Sequence, residues 1–325
     1  MRYIGDQLLI LMPVFNDWDS VTLLLDEIDG VLGREDLPAD VLLVDDGSTA
    51  ALPETLRSKQ LKWIRAVNIL HLRRNVGHQR AIAIGLAFID ATRRSSTVVV
   101  MDADGEDQPM DIPRLVAKLS LEGGDKIVFA ERIRRSEGFR FKAFYWLYRV
   151  LHRTLVGIPV RVGNFSAVPG SALGTLVVVA ELWNHYAAAI VKARIPHALL
   201  PTQRGSRIMG RSSMSWSALV IHGLSALAVF GDVVALRLLC ATGGVMMLLF
   251  LALFATLAVR LFSGLAIPGW ATYTTGILLL LLSQMAMMSF LLVFFVLSSR
   301  AASTFIPARD YKVFVKGVRR VANGE

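Results

Sequence analysis

Two runs in the last third of the chain contain no charged residue: Leu238 to Val259, reading LLCATGGVMMLLFLALFATLAV, and roughly Thr275 to Leu297. At ~1.5 Å rise per residue the first makes a helix about 33 Å long, enough to cross the hydrocarbon core of a bilayer. Inside lipid a backbone must satisfy its own hydrogen bonds, so such a run is read as helical. Arg237 and Arg260 bracket the first run and Arg300 follows the second. The link between them, FSGLAIPGWATY, is short and neutral, with Trp270 and Tyr273 where interfacial aromatics belong. The competing reading, two buried helices of a soluble core, sits poorly with the length and purity of both runs.

Basic residues flank this hairpin. The tail from Arg300 carries Arg309, Lys312, Lys316, Arg319 and Arg320. By the positive-inside rule both ends of the hairpin, and everything before it, face the cytoplasm. The expected organisation is a cytoplasmic domain over 1–212, a juxtamembrane interfacial helix over 213–235, a membrane hairpin over 236–299 with spans at about 238–260 and 275–297, and a basic tail over 300–325. That describes a multi-pass protein of the cell (inner) membrane with both termini cytoplasmic. A composition 54% apolar and only 19% charged agrees with membrane-embedded parts. Cys240 is the single cysteine, which excludes an intrachain disulfide and fits a reducing compartment. Met1 to Gln7 lacks the apolar core of a secretory leader. The formal net charge of +9 points to an anionic partner: nucleic acid, lipid headgroups or phosphorylated substrates.

The first two hundred or so residues alternate short apolar runs with longer amphipathic ones. LLILMPVF (8–15), DVLLVDD (40–46), VNILHL (67–72), STVVVMDAD (96–104) and KIVFAER (126–132) read as buried strands. Asp19 to Leu32, Gly77 to Ala91 and Ile112 to Leu121 read as the helices between them. This alternation predicts an α/β domain with parallel strands and helices on both faces. Ligands of such sheets gather at the carboxyl ends of the strands. There the polar clusters fall: Asn16 and Asp17 after the first run, Asp45 and Asp46 after the second, and Asp102, Asp104, Glu106 and Asp107 after the fourth. Two further segments, FRFKAFYWLYRVLHRTLV (139–156) and MSWSALVIHGLSALAVFGDV (214–233), mix aromatic and apolar residues at helical spacing. The first reads equally as a headgroup-layer helix or a helix packed on the sheet; the second, by its position, as interfacial.

The stretch VVVMDADGEDQP (98–109) carries the sharpest chemical signal. Asp102 and Asp104, one residue apart at a strand end, can converge on one hard cation, Mg²⁺ or Mn²⁺, with Glu106 as a third oxygen donor. The plain alternative is an acidic solvated turn or helix cap. Acids directly after a buried strand need compensation, which favours the metal. VLLVDDGST (41–49) repeats the pattern, so Asp45 and Asp46 are candidates for ribose or base contacts, although Asp-Gly-Ser is also a common turn. LRRNVG (72–77), ahead of a helix, places Asn75 and Gly77 where phosphate or nucleotide contacts form. No G-x-G-x-x-G follows a strand, no P-loop is present, and no H-E-x-x-H supports zinc. Arg132, Arg134 and Arg135 in AERIRR, and Arg204 and Arg207 in QRGSRIMGRSSM, are candidates for bidentate phosphate binding.

In this order PVFND, VDDGST, RNVG, DADGEDQP and QRGSRIMGRSSM, followed by two spans, make the chain resemble a family-2 glycosyltransferase of the dolichyl- or polyprenyl-phosphate sugar synthase group. The resemblance covers nearly the whole chain. It implies a GT-A fold, a Rossmann-like and mostly parallel sheet, with a two-helix transmembrane hairpin behind it. It implies donor contacts from Pro13, Asn16, Asp45 and Asp46, with Asn75, Gly77, Asp102, Arg204 and Arg207 completing the nucleotide-sugar set. The metal set would be Asp102, Asp104 and Glu106. Arg132, with Arg134 and Arg135, would clamp the acceptor phosphate, and Asp104, Asp107 and Arg132 would be the catalytic group. Asp107 would act as base or acceptor-positioning residue. Relatives usually read D-A-D-L-Q-D/H-P-P, so Glu106 stands at their glutamine and Gln108 at their first proline. GNFSAVP (163–169) departs from their Asp-Phe-Arg motif. The implied partners are a UDP- or GDP-sugar, a polyprenyl (undecaprenyl or dolichyl) phosphate and the membrane, with no nucleic acid; a two-span hairpin also leaves self-association open. The implied reaction is metal-dependent, inverting sugar transfer to the lipid phosphate. The alternatives are a membrane-anchored transferase with a non-lipid acceptor, and a non-catalytic GT-A scaffold.

Overall fold

A computed structural model describes residues 7–92, 96–132, 150, 153–157, 162–203, 205–209, 216–263, 267, 269–301 and 305–322. These residues fall into two compact units, one drawn from 1–144, 160–229 and 304–325, the other from 145–159 and 230–303. The first unit is built on an eight-stranded sheet. Its strands are β1 (Leu8–Val14), β2 (Ala39–Asp45), β3 (Ile64–Leu72), β4 (Thr97–Val100), β5 (Ile127–Arg132), β6 (Ser166–Val168), β7 (His197–Thr202) and β8 (Val315–Ala322), in spatial order β7-β5-β6-β4-β1-β2-β3-β8. Parallel pairing joins β4, β1, β2 and β3, and also β5 with β7. Strand β6 runs antiparallel between β4 and β5, and β8 antiparallel along β3. The fold is therefore the α/β, mostly parallel class that the sequence predicts.

The helices explain why β1 and β2 are apolar on both faces. Every residue of these two strands is buried, because α1 (Trp18–Arg34) and α4 (Asp111–Leu121) cover one face while α3 (His78–Thr92), α5 (Gly170–Val177) and α6 (Tyr186–Lys192) cover the other. The side chains divide with period two. Ile10, Met12, Val41 and Leu43 pack with Leu24, Ile28 and Leu115, whereas Leu9, Leu11, Leu42 and Val44 pack with Ile82, Leu86 and Ile190. Helix α1 buries Val21, Leu24, Leu25, Ile28 and Leu32, the three- and four-residue spacing of a core-facing stripe. A four-residue helix, α2 (Glu54–Arg57), sits in the connection from β2 to β3.

Three strands escape the sequence reading. Two of them, β6 and β7, are short or only half-buried and lie between helical segments. The third is a correction: the expected basic tail ends in β8, which returns to the sheet as an edge strand. Lys316, Arg319 and Arg320 are exposed there, and charged side chains on an edge strand discourage further pairing. Ahead of it, α10 (Pro307–Asp310) leads into the strand. The arginine-rich helix expected over 139–156 lies largely outside the described residues.

Strand β7 ends and strand β8 begins at the sheet's carboxyl edge. Strand β7 leaves at that edge and is followed by α7 (Trp216–Val229), whose last carbonyl, on Val229, accepts a 2.7 Å hydrogen bond from Lys192 Nζ. The return passes through Phe305 and enters β8 opposite Leu72, the carboxyl end of β3.

The second unit holds α8 (Gly231–Phe262) and α9 (Trp270–Ala301). Both outrun the charge-free segments, so Trp270 and Tyr273 lie in the first turn of α9 rather than in a link. The most apolar stretch of each has a mean hydropathy of 2.4, and only 6% of that stretch is buried within the protein. Large side chains such as Leu248, Phe254, Phe290 and Phe294 are exposed. A core helix of a soluble protein would cover them; these two are long and apolar enough to cross a bilayer and fit a transmembrane hairpin. Ser289 Oγ donates to Thr242 Oγ1 at 3.2 Å between the two helices.

Candidate active site

The carboxyl ends of β1 and β2 meet in one knot of polar contacts. Asn16 follows β1 with φ 56°, a left-handed backbone that asparagine tolerates better than most residues. Its Oδ1 accepts from the Thr49 and Ala50 N–H groups at 2.8 and 2.9 Å, and its own N–H donates to Ser48 Oγ at 3.0 Å. Asn16 therefore shapes the loop after β2. Asp45 accepts from Ser48 N–H at 2.8 Å with one oxygen and meets His71 Nδ1 at 2.8 Å with the other. Pro13 is buried in β1 opposite Val44. Backbone groups alternate in direction along a strand, so Pro13 lacks its N–H on the β4 side, beyond the last residue of that short strand.

Asp46, next along the chain, faces inward. It is 1% exposed, and its two oxygens accept from the Val76 and Gly77 N–H groups at 2.7 and 2.8 Å. Burial pushes its carboxyl above the ordinary range, opposed by these two hydrogen bonds and reinforced by Asp45 nearby. Asp46 thus holds the loop ahead of α3 from inside, and presents Asn75 and Gly77 instead of facing a ligand itself. Gly47, at φ 72°, lets this happen: a Cβ there would lie 2.7 Å from both the Arg74 carbonyl carbon and the Asn75 nitrogen.

The acidic loop after β4 is cross-linked to a segment a hundred residues away. Arg207 pairs with Asp104 Oδ2 at 2.7 Å, and the Ile208 N–H donates to the Asp104 carbonyl at 3.1 Å. Gly205 N–H donates to the Glu106 carbonyl at 2.9 Å, while Glu106 N–H donates to Asp104 Oδ1 at 3.0 Å. Gly105, at φ 84°, turns the chain beneath Ile208, whose Cγ1 any Cβ added there would strike. DADGE and RGSR, separate motifs in the sequence, are one structural piece.

Asp107 is 2% exposed and accepts the Asp102 N–H at 2.9 Å, so it closes the turn from the inside. Among the described residues no group of three or more His, Cys, Asp or Glu gathers into one cluster. The turn at Gly105 directs the backbone of Glu106, through its N–H and carbonyl, into the contacts with Asp104 and Gly205. Asp102 and Asp104, both half-buried, still fit a divalent cation. Mg²⁺ and Mn²⁺ take one or two protein carboxylates and complete their shell with water and phosphate oxygens. Arg132 ends β5 opposite Thr202; its side chain, and Arg134, Arg135 and Arg204, lie outside the described residues.

Sequence reasoning missed the residues behind Asp102. Asn164 Nδ2 donates to Asp102 Oδ1 at 3.3 Å, Gln79 Nε2 donates to Asn164 Oδ1 at 2.9 Å, and Tyr186 N–H donates to Gln79 Oε1 at 2.6 Å. These partners are scattered over 107 positions, and an isolated amide in a loop or helix carries no pattern. His71 was equally silent until the register paired it with Asp45.

Comparison with known proteins places these motifs in a family. The model of glycosyl transferase family 2 matches residues 9–173. The undecaprenyl-phosphate 4-deoxy-4-formamido-L-arabinose transferase of Klebsiella pneumoniae is 31% identical over 146 residues, covering 45% of this chain and 43% of that protein. The protein of the same name from Edwardsiella ictaluri is 28% identical over 244 residues, 70% of this chain and 72% of that one. Dodecaprenyl-phosphate galacturonate synthase of Rhizobium johnstonii is 28% identical over 47% of this chain and 44% of its own length. The match thus spans less than half of the Klebsiella and Rhizobium relatives. Among solved structures, glucosyl-3-phosphoglycerate synthase from Mycobacterium tuberculosis, in complex with Mn²⁺, UDP and glucosyl-3-phosphoglycerate, is 18% identical over 70% of this chain and 80% of that chain, with a TM-score of 0.48.

Proposed function

The chain belongs to glycosyl transferase family 2, and we propose that it transfers a sugar from a nucleotide-sugar donor to a polyprenyl phosphate at a membrane face. One observation carries this reading. The loop bearing Asp102 and Asp104 is joined to Arg207, so two acids that suit a cation and a guanidinium that suits phosphate oxygens meet at the carboxyl edge of the sheet. The names of the relatives, which transfer sugars to undecaprenyl or dodecaprenyl phosphate, support the same acceptor class. Because residues before and after the hairpin share one sheet, a bilayer crossed by both helices leaves them on one side, which supports a two-span topology. The flanking arginines favour the cytoplasmic side.

The chemistry asks little of a base. A phosphate monoester has a second pKa near ~6, so a polyprenyl phosphate is largely dianionic at neutral pH. One of its oxygens attacks the anomeric carbon while the bond from that carbon to the donor diphosphate breaks, and the nucleoside diphosphate departs with the electron pair. Asp102 and Asp104 would hold the Mg²⁺ or Mn²⁺ that supplies positive charge to this leaving group. Arg207, now paired with Asp104, presents a planar fork suited to phosphate oxygens. The loop set by Asp46 holds Asn75 and Gly77 for the nucleotide, with Pro13, Asn16 and Asp45 forming the floor beneath it. Arg132, Arg134 and Arg135 are proposed for the acceptor phosphate, and Arg204 for the donor. Opposite-face attack inverts the anomeric centre.

Membranes containing the protein, incubated with labelled UDP- and GDP-sugars and extracted with organic solvent, test the reading. Label is expected in the lipid phase and released by mild acid. Transfer to a water-soluble or polymeric product alone would overturn the lipid acceptor, and no transfer from any donor would favour the scaffold.

A further inference from the structure

We infer that Asn164 is a positioning residue for Asp102, oriented through Gln79 by the backbone of α6; the inference rests on the proposed role of Asp102 as a cation-holding carboxylate. An amide side chain can face either way, but here one donor fixes the whole series. The Tyr186 N–H, in the first turn of α6, has no helical acceptor and can only donate. Gln79 Oε1 receives it, so Gln79 Nε2 must donate onward to Asn164 Oδ1, and Asn164 Nδ2 must donate to Asp102. Polarity therefore runs one way, ending on a carboxylate oxygen.

A second arm holds Asn164 by its backbone. Ser166 Oγ donates to the Asn164 carbonyl at 2.9 Å and lies 2.7 Å from the Tyr186 hydroxyl, which then donates to Ser166. Tyr186 is fully buried, which pushes its phenol above the ordinary value and keeps that donor protonated. One residue of α6 thus grips Asn164 from both sides, and a partly buried network with its bonds made holds that side chain in one orientation. Its single output is the Oδ1 oxygen of Asp102. An aspartate at 164, once ionised, could not donate there, so the amide in GNFSAVP is the group this arrangement requires. Residues that orient metal ligands typically change metal affinity by 10–100-fold when removed.

The test measures Mn²⁺ affinity of the full chain in detergent by electron paramagnetic resonance, with UDP in one series and GDP in another. Asn164→Leu is expected to weaken Mn²⁺ about tenfold or more, and Gln79→Leu by a smaller factor in the same direction. Ile28→Val, a core change under α1 on the other face of the sheet, is the control for general destabilisation and is expected to lower the melting temperature without moving the Mn²⁺ affinity. Wild-type affinity in Asn164→Leu would overturn the inference. So would a loss in Ile28→Val that matches its loss of thermal stability. If the wild-type chain binds no Mn²⁺ with either nucleotide, the cation reading of Asp102 fails, and the positioning role fails with it.

Discussion

The ends of β2 and β4 present the same motif to a reader of the sequence and opposite solutions in the fold. Each is a valine-rich strand closing on paired acids and a glycine. At β2 the second acid, Asp46, turns inward and ties down the loop ahead of α3. At β4 the fourth acid of the loop, Asp107, takes the inward role, and Asp102 and Asp104 remain half-buried at the edge, facing Asn164 and Arg207. An acid at a strand end has two uses, as an acceptor for loop backbone or as a ligand for something arriving from solvent. Burial separates them: Asp46 and Asp107 are 1% and 2% exposed. Position in the motif does not.

The largest effect expected from this contrast falls on β4. Asp104→Ala should lower kcat/KM for sugar transfer by about 10²–10³, the scale of losing a preorganised charge contact at the leaving group, with little change in melting temperature. Unaltered transfer would remove Asp104 from the chemistry and make the two strand ends alike. Next comes Asp46→Ala, which strips the partner from two loop N–H groups. At roughly 1–3 kcal/mol for each buried donor left unmade, unfolding by denaturant should show a loss of about 2–5 kcal/mol. A fully stable Asp46→Ala protein with a selectively raised donor KM would return Asp46 to the nucleotide.

Legibility follows the same physics. The hairpin was readable because lipid imposes a simple rule, an uncharged run long enough to span, and α8 and α9 obey it. Strands β1, β2 and β4 were readable because burial on both faces writes a continuous apolar run. Strand β8 was not: on an edge only part of one face packs, and VKGVRRVA therefore looks like a solvated basic tail. In the site, DAD and RGSR announced themselves as clusters, yet their mutual contact depends on chain reversals a hundred residues apart. Asn164, Gln79 and His71 were invisible because a single polar residue acquires meaning only from the neighbour that the register gives it. Asp46 and Asp107 spend their buried carboxylates on the loops themselves, an inward direction that the motif does not write.

A smaller effect distinguishes two uses of Arg207. As a mere counter-charge to Asp104, lysine would serve nearly as well. As a fork for phosphate oxygens it would not, since lysine offers a point charge in place of a planar pair of donors. Arg207→Lys is expected to cost about tenfold in kcat/KM, or about 1.4 kcal/mol; a change under twofold would assign Arg207 to charge balance alone.

The smallest expected effect lies at Asp45, the acid intermediate between the two extremes. It is 7% exposed, yet it uses one oxygen on Ser48 and the other on His71, a side chain only half-buried. Removing His71 leaves the Ser48 bond in place and opens one Asp45 oxygen to water, so no buried group is orphaned. His71→Ala should then cost about 1 kcal/mol of stability. If Asp45 faces the nucleotide, as its place beneath Asn16 supports, the same variant should also raise the donor KM by a factor of about two to five while leaving kcat unchanged, because a loosened carboxylate weakens binding before chemistry. A stability loss with an unmoved KM would instead group Asp45 with Asp46 as scaffolding, and the whole β2 end would become a support for the loop that carries Asn75.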